Sequence, residues 1–240
     1  MSSFDMYRAA EEFETFQNTS LSCHRETTQA PMSPKSWGNK IRHFFGFEDP
    51  DTYKPPPAIE GKKTLILDLD ETLIHSSDFP PHDAVEYFLC GDPQFYVYKR
   101  PGLDSFLRMC NEKFDTFIFT FGDRQYAEPV LDTLCPFINQ SHRLYRDSCE
   151  MKSGTVKKDL GIFHRPKKDL ILIDDNSAAM HFNPKNTIMI ERWFGIPQDS
   201  ALIDWLPPIL NECSLAEDVR LVISQYSTPR RIRSSGSRKY

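Results

Sequence analysis

The run Asp68-Leu69-Asp70-Glu71-Thr72 sets two carboxylates two residues apart, directly behind the apolar stretch 64–67. Alternate residues of an extended chain point the same way, so Asp68 and Asp70 can face one site. Acids beyond a strand end also cap neighbouring helices, and an isolated pair has no stronger claim than that. Further segments offer matching groups: Thr120 after a second apolar run, Lys158 in a loop, and Asp175 and Asn176 after a third. Together they suit phosphoryl transfer to a carboxylate. A carboxylate attacking a phosphate dianion needs cations to offset the repulsion. Magnesium prefers hard oxygen ligands and can bind Asp68, a nearby backbone carbonyl, and Asn176 or Asp175. Lys158 offers a fixed positive charge and Thr120 a hydroxyl donor. Asp70 is left as acid for the leaving alkoxide and then as base for water.

These residues can meet only if the elements bring them together. Residues 64–67, 116–121, 170–173 and 187–190 read as buried strands. Leu103, Phe106, Leu107 and Cys110 form the stripe of a helix over 101–111, opened by Pro101. Tyr126, Val130, Leu131 and Leu134 mark a second helix, ended by Pro136, and helices near 200–212 and 215–225 close the domain. Residues 85–90 and 95–99 flank Gly91-Asp92-Pro93 and read as a β-hairpin. Strands alternating with helices predict an α/β fold in three layers, a Rossmann-like parallel sheet with helices on both faces. Reactive groups in such sheets gather beyond the carboxyl ends of the strands, which sends Asp68, Asp70, Thr120, Asp175 and Asn176 into one crevice.

The chain has 240 residues, 39% hydrophobic and 26% charged, with a net charge of −5. That balance argues against a direct nucleic-acid partner. The six cysteines form no C-x-x-C pair and are expected to be free thiols. Residues 1–58 are polar and expected to be flexible; Trp37, Ile41, Phe44 and Phe45 could form a docking turn, and Pro55-Pro56-Pro57 reads as a linker. The catalytic domain is expected over 59–226. Residues 227–240, with Arg230, Arg231, Arg233, Arg238 and Lys239, read as a basic disordered tail. No apolar run approaches the roughly 18–20 residues of a membrane span. Residues 1–12 lack a basic-then-apolar leader and carry acids. The expected setting is soluble, nuclear or cytoplasmic.

The motifs also carry a resemblance. Asp68-Leu69-Asp70-Glu71-Thr72-Leu73-Ile74-His75-Ser76, Lys99-Arg100-Pro101, Thr120 with Tyr126-Ala127-Glu128-Pro129-Val130, Arg146-Asp147-Ser148-Cys149, Lys158-Asp159-Leu160 and Asp175-Asn176-Ser177 follow in order. Over about residues 62–225 the chain resembles the haloacid dehalogenase superfamily, in its branch of polymerase carboxy-terminal-domain (CTD) phosphatases, and most closely the small CTD phosphatases. The resemblance implies Asp68 as nucleophile, Asp70 as proton donor, and Thr120 and Lys158 as transition-state stabilisers. It implies magnesium held by Asp68, the main-chain oxygen of Asp70, and Asn176, and a hairpin insertion that helps bind peptides. It further implies a protein serine/threonine phosphatase working through an aspartyl-phosphate on phosphoserine or phosphothreonine, with the RNA polymerase II C-terminal domain as one substrate. Another phosphoprotein, a small phosphate ester, and a non-catalytic binding module on the same fold are the other readings. Phe121-Gly122-Asp123 and residues 150–156 depart from the family pattern. His75 reads as structural, Cys149 as a buried thiol, and Trp193, Phe194 and Trp205 as packing aromatics.

Overall fold

The computed structural model describes residues 53–81, 84–152 and 154–226. The expected flexible segment up to residue 52, the docking turn within it and the basic tail lie outside the described residues. In chain order the elements are β1 (Thr64–Leu67), β2 (Ile74–Ser77), β3 (Tyr87–Cys90), β4 (Phe95–Lys99), α1 (Leu103–Lys113), β5 (Asp115–Phe119), α2 (Arg124–Leu134), β6 (Arg143–Leu144), β7 (Glu150–Lys152) and β8 (Thr155–Lys157). Then follow β9 (Leu170–Asp174), α3 (Ser177–Phe182), β10 (Thr187–Met189), α4 (Leu206–Leu215) and α5 (Val219–Tyr226).

The central strands are buried at every position, and they divide the molecule into layers because successive side chains leave opposite faces of a sheet. β1 sits at the middle of a parallel sheet ordered β10-β9-β1-β5-β6. Leu65, Leu67, Ile118, Ile171 and Ile173 leave one face and pack on α1, α2, α4 and α5 through Phe106, Leu131, Leu210 and Ile223. Ile66, Phe117, Phe119 and Leu172 leave the other face and meet Ala179 of α3 with Leu160 and Phe163 of a 3₁₀ turn. This second layer is thinner than the first, with one short helix and turns. Each such aliphatic or aromatic side chain taken from water contributes about 1.5–3 kcal/mol.

The α/β class and the parallel sheet are as expected. The hairpin is larger: β2 joins it, giving an antiparallel sheet ordered β2-β4-β3. β3 starts at Tyr87, since Val85 instead turns inward onto Tyr98 and Trp193. Residues 200–212 are not one helix but a π turn, Ala201–Trp205, running into α4. Before β1 the chain lies along the thinner layer, where the Tyr53 hydroxyl donates to the Ser141 carbonyl at 2.9 Å and Arg165 donates to the Pro56 carbonyl at 3.1 Å. Among the described residues no helix is long and apolar enough to cross a membrane.

Candidate active site

β1 delivers Asp68 to the carboxyl end of the sheet, where its amide donates to the Ile173 carbonyl at 3.0 Å. β5 lies on one side of β1 and β9 on the other, so Asp68 stands at the switch point of the strand order, where α/β sheets open a crevice. The chain then turns tightly: Leu73 and Ile74 both donate to the Leu69 carbonyl, and Glu71 takes a left-handed φ of 55°. Arg100, fully buried, holds this turn from behind. Its guanidinium donates to the Thr72 carbonyl at 2.9 Å and the Glu191 carbonyl at 3.0 Å, and forks onto both Asp199 oxygens at 2.8 Å.

Lys158 follows β8 directly and is buried, with Nζ 2.6 Å from Asp68 Oδ1 and 2.7 Å from Asp174 Oδ2. Burial works against the Lys158 ammonium, but Asp68 and Asp174 outweigh it and hold its pKa above the ordinary lysine value. Burial pushes Asp68 up to about 6 against the pull of Lys158, with Asp175 adding to the rise. Burial, with Asp68 adding to it, also takes Asp174 to about 6. Thr72 Oγ1 donates to Asp175 Oδ1 at 3.0 Å, and Arg192 Nε reaches Asp175 Oδ2 at 2.9 Å.

Asp70 is raised to about 6, first by burial. Its Oδ2 accepts from Thr120 Oγ1 at 3.2 Å, and its Oδ1 accepts from the Tyr126 hydroxyl. Burial and the Asp70 charge drive the Tyr126 phenol far above its ordinary pKa, so it stays a donor. Thr120 Oγ1 in turn accepts from the Gly122 amide at 2.8 Å. Asn176 caps α3, its Oδ1 accepting from Ala178 at 2.9 Å. Asp68, Asp70, Thr120, Lys158, Asp175 and Asn176 all line one cavity of about 380 Å³.

Every site residue named from sequence therefore reaches this cavity. Two further members were not read as site residues. Asp174 stands just beyond the apolar run 170–173 in the sequence and closes β9 in the structure; β1 and β9 run in register from Thr64↔Leu170 to Leu67↔Ile173, and one more step pairs Asp68 with Asp174. Tyr126 falls in the apolar stripe of its helix by sequence, but its hydroxyl turns to Asp70. Asp123, a departure from the family pattern, serves as the α2 N-cap and accepts from the Tyr126 amide at 3.0 Å. His75 pairs with Glu71 at 3.2 Å and is not among the residues that line the cavity. Burial lifts the Cys149 thiol to about 11, which makes it a poor nucleophile. Trp193 is buried, but Phe194 is 44% exposed, because the chain turns outward there under Arg192, whose guanidinium stacks on its ring.

Carboxylate oxygens of Asp68, Asp174 and Asp175 lie within 4.8 Å of one another. Crowded buried acids served by one buried ammonium form a hard-oxygen, net-negative donor set, and that set fits a divalent cation such as magnesium.

A family model described as "NLI interacting factor-like phosphatase" matches residues 63–220. A Dictyostelium discoideum protein named "Probable C-terminal domain small phosphatase" is 42% identical over 173 residues, covering 70% of this chain and 56% of that protein. The human "Carboxy-terminal domain RNA polymerase II polypeptide A small phosphatase 2" is 33% identical over 233 residues, covering 94% of this chain and 85% of that protein. Among solved structures, "The Structure of Fcp1, an essential RNA polymerase II CTD phosphatase" is similar with a TM-score of 0.47 at 25% identity, over 69% of this chain and 53% of that one. The chain thus spans little more than half the length of the Dictyostelium relative.

Proposed function

The chain belongs to the NLI interacting factor-like phosphatase family, and from that premise we propose that it is a magnesium-dependent protein serine/threonine phosphatase working through an aspartyl-phosphate on Asp68. The observation that carries this reading is the convergence of Lys158 Nζ, 2.6 Å from Asp68, with Asp70, Thr120 and Asp175 around one cavity.

An Asp68 oxygen attacks the phosphorus of a phosphoserine or phosphothreonine, and the bond to the side-chain oxygen breaks. Asp70 gives its proton to that leaving oxygen. In the second half, Asp70 takes a proton from a water that attacks the phosphorus of the aspartyl-phosphate; Asp68 leaves as carboxylate and phosphate is released. Lys158 is preset to stabilise charge on the phosphoryl oxygens in both halves, and the Thr120 hydroxyl, which donates to Asp70 in the free chain, turns its one hydrogen to a phosphoryl oxygen when the substrate is in place. Asp68, the Asp70 main-chain oxygen, Asn176 and Asp175 would hold magnesium, with Asp174 beside them. When bound, the metal supplies positive charge for the phosphate and the carboxylates.

An extended phosphopeptide is the favoured substrate class. The cavity is floored by acids but rimmed by Phe121, 40% exposed, and Tyr126, and the antiparallel sheet stands beside it through the Ser76–Tyr126 contact. The human relative's name makes the RNA polymerase II C-terminal domain the first substrate to test, in a nuclear or cytoplasmic setting. The mixed charge of Asp123 and Arg146 at the rim favours screening other phosphoproteins beside it. Asp68→Asn is expected to abolish hydrolysis of p-nitrophenyl phosphate and phosphopeptides while the fold persists; turnover retained would overturn the nucleophile assignment. Chelation is expected to stop the reaction and magnesium to restore it. A phosphopeptide panel with doubly phosphorylated polymerase-tail repeats separates the substrates, and binding without any turnover would mark a non-catalytic module.

A further inference from the structure

Two hydroxyls stand behind Asp70 with no part in the chemistry above. The Tyr126 hydroxyl, in the first turn of α2, donates to Asp70 Oδ1, and Ser76 Oγ on β2 lies 2.6 Å from that hydroxyl. We propose that Tyr126, backed by Ser76, is the positioning residue that aims Asp70 at the leaving oxygen of an alkyl phosphate. This rests on Asp70 being the acid and base of the proposed reaction.

A carboxylate's terminal torsion is soft, so a lone aspartate samples many plane orientations. Here each oxygen has its own hydroxyl donor, Tyr126 on Oδ1 and Thr120 on Oδ2, which pins the plane and leaves each oxygen a lone pair for substrate or water. The tyrosine is itself fixed. Its ring packs on Phe95 with centroids 5.6 Å apart, and it lies so close to Gly122 that a Cβ there would stand 3.0 Å from the ring. Because Tyr126 spends its one proton on Asp70, Ser76 must supply the hydrogen for their contact. Ser76 is paired with Val97 in the antiparallel sheet. The insertion beside the cavity is therefore joined to the acid by two hydroxyls.

Proton donation matters most when the leaving oxygen is a poor leaving group, as a serine alkoxide is, and little for a nitrophenolate. Tyr126→Phe keeps the ring and removes the donor. For the full chain with magnesium, its kcat on a phosphoserine peptide is expected to fall about 10-fold or more with KM little changed, and several-fold less on p-nitrophenyl phosphate. Ser76→Ala is expected to give a smaller loss of the same kind that disappears in a Tyr126→Phe background. An equal loss on both substrates, no loss on the peptide, or a change in KM alone would overturn the positioning role. Turnover by Asp68→Asn, or none by the wild-type chain, would instead sink the phosphatase reading beneath it.

Discussion

Lys158 is the only ammonium buried at the cavity among the described residues, and it serves two acids at once. Lys158→Met is expected to lower kcat/KM by about 10²-fold or more, read in a steady-state assay, since a preset cation at the phosphoryl oxygens is lost. Asp68 and Asp174 would be left facing each other, at a cost to folding of about 3–5 kcal/mol. The same acids make stability depend on pH. Asp68, Asp70 and Asp174 are raised to about 6 in the folded chain, against about 3.9 when unfolded. Between those values the metal-free folded state binds more protons than the unfolded one, so stability falls as pH rises through 6. Chelated protein is expected to melt several °C higher near pH 5 than at pH 7.5, and magnesium to raise the midpoint at pH 7.5 far more than at pH 5, both by calorimetry. Asp68, Asp70, Thr120 and Lys158 were legible because each follows a strand or loop end in a recognisable motif. Asp174 was not, because its membership follows from strand register, and Tyr126 was not, because a tyrosine at a helix-stripe position carries an apolar ring and a polar tip with equal ease.

Elements hold the site through a few tight points. Arg100 opens the turn into α1, yet its side chain reaches back under the Asp68–Ile74 turn and across to Asp199. Arg100→Met is expected to destabilise the fold by about 3–5 kcal/mol in denaturant titration, because Asp199 loses its bidentate partner and two carbonyls lose donors. Gly102, the α1 N-cap, has φ 80°, and a Cβ there would fall 2.5 Å from Ile203 of the π turn. Gly102→Ala is expected to lower stability by about 1–2 kcal/mol, the strain of that backbone region for an L side chain. The parallel strands and the first two helices were readable from apolar runs and the 3.6-residue stripe. β2 was not. Ile74-His75-Ser76-Ser77 has only one fully buried residue and no aromatic or β-branched run like Phe95–Lys99, and only its pairing with that segment makes it a strand.

At the scale of the whole molecule, the cavity-lining residues run from Asp68 to Arg192, all inside the described residues. Since the whole lining falls well within 53–226, a chain limited to those residues is expected to keep the turnover of the full chain on p-nitrophenyl phosphate. Starting instead at residue 59 removes Tyr53 and Pro56, whose contacts with Ser141 and Arg165 close the thinner layer, and is expected to lower the melting midpoint. Those contacts were invisible in sequence because a triple proline reads as a spacer whether or not its flanks are anchored. Arg100 ties the turn after β1 to Glu191 and Asp199, and the Trp193 amide donates to the Glu71 carbonyl at 2.9 Å across the same seam. Segments more than ninety residues apart in sequence thus share one fastening. Deuterium should enter the amides of Leu73, Ile74 and Trp193 only when the entire sheet opens, so that this corner of the cavity keeps the slowest exchange clock in the protein rather than the fast flicker of a surface loop.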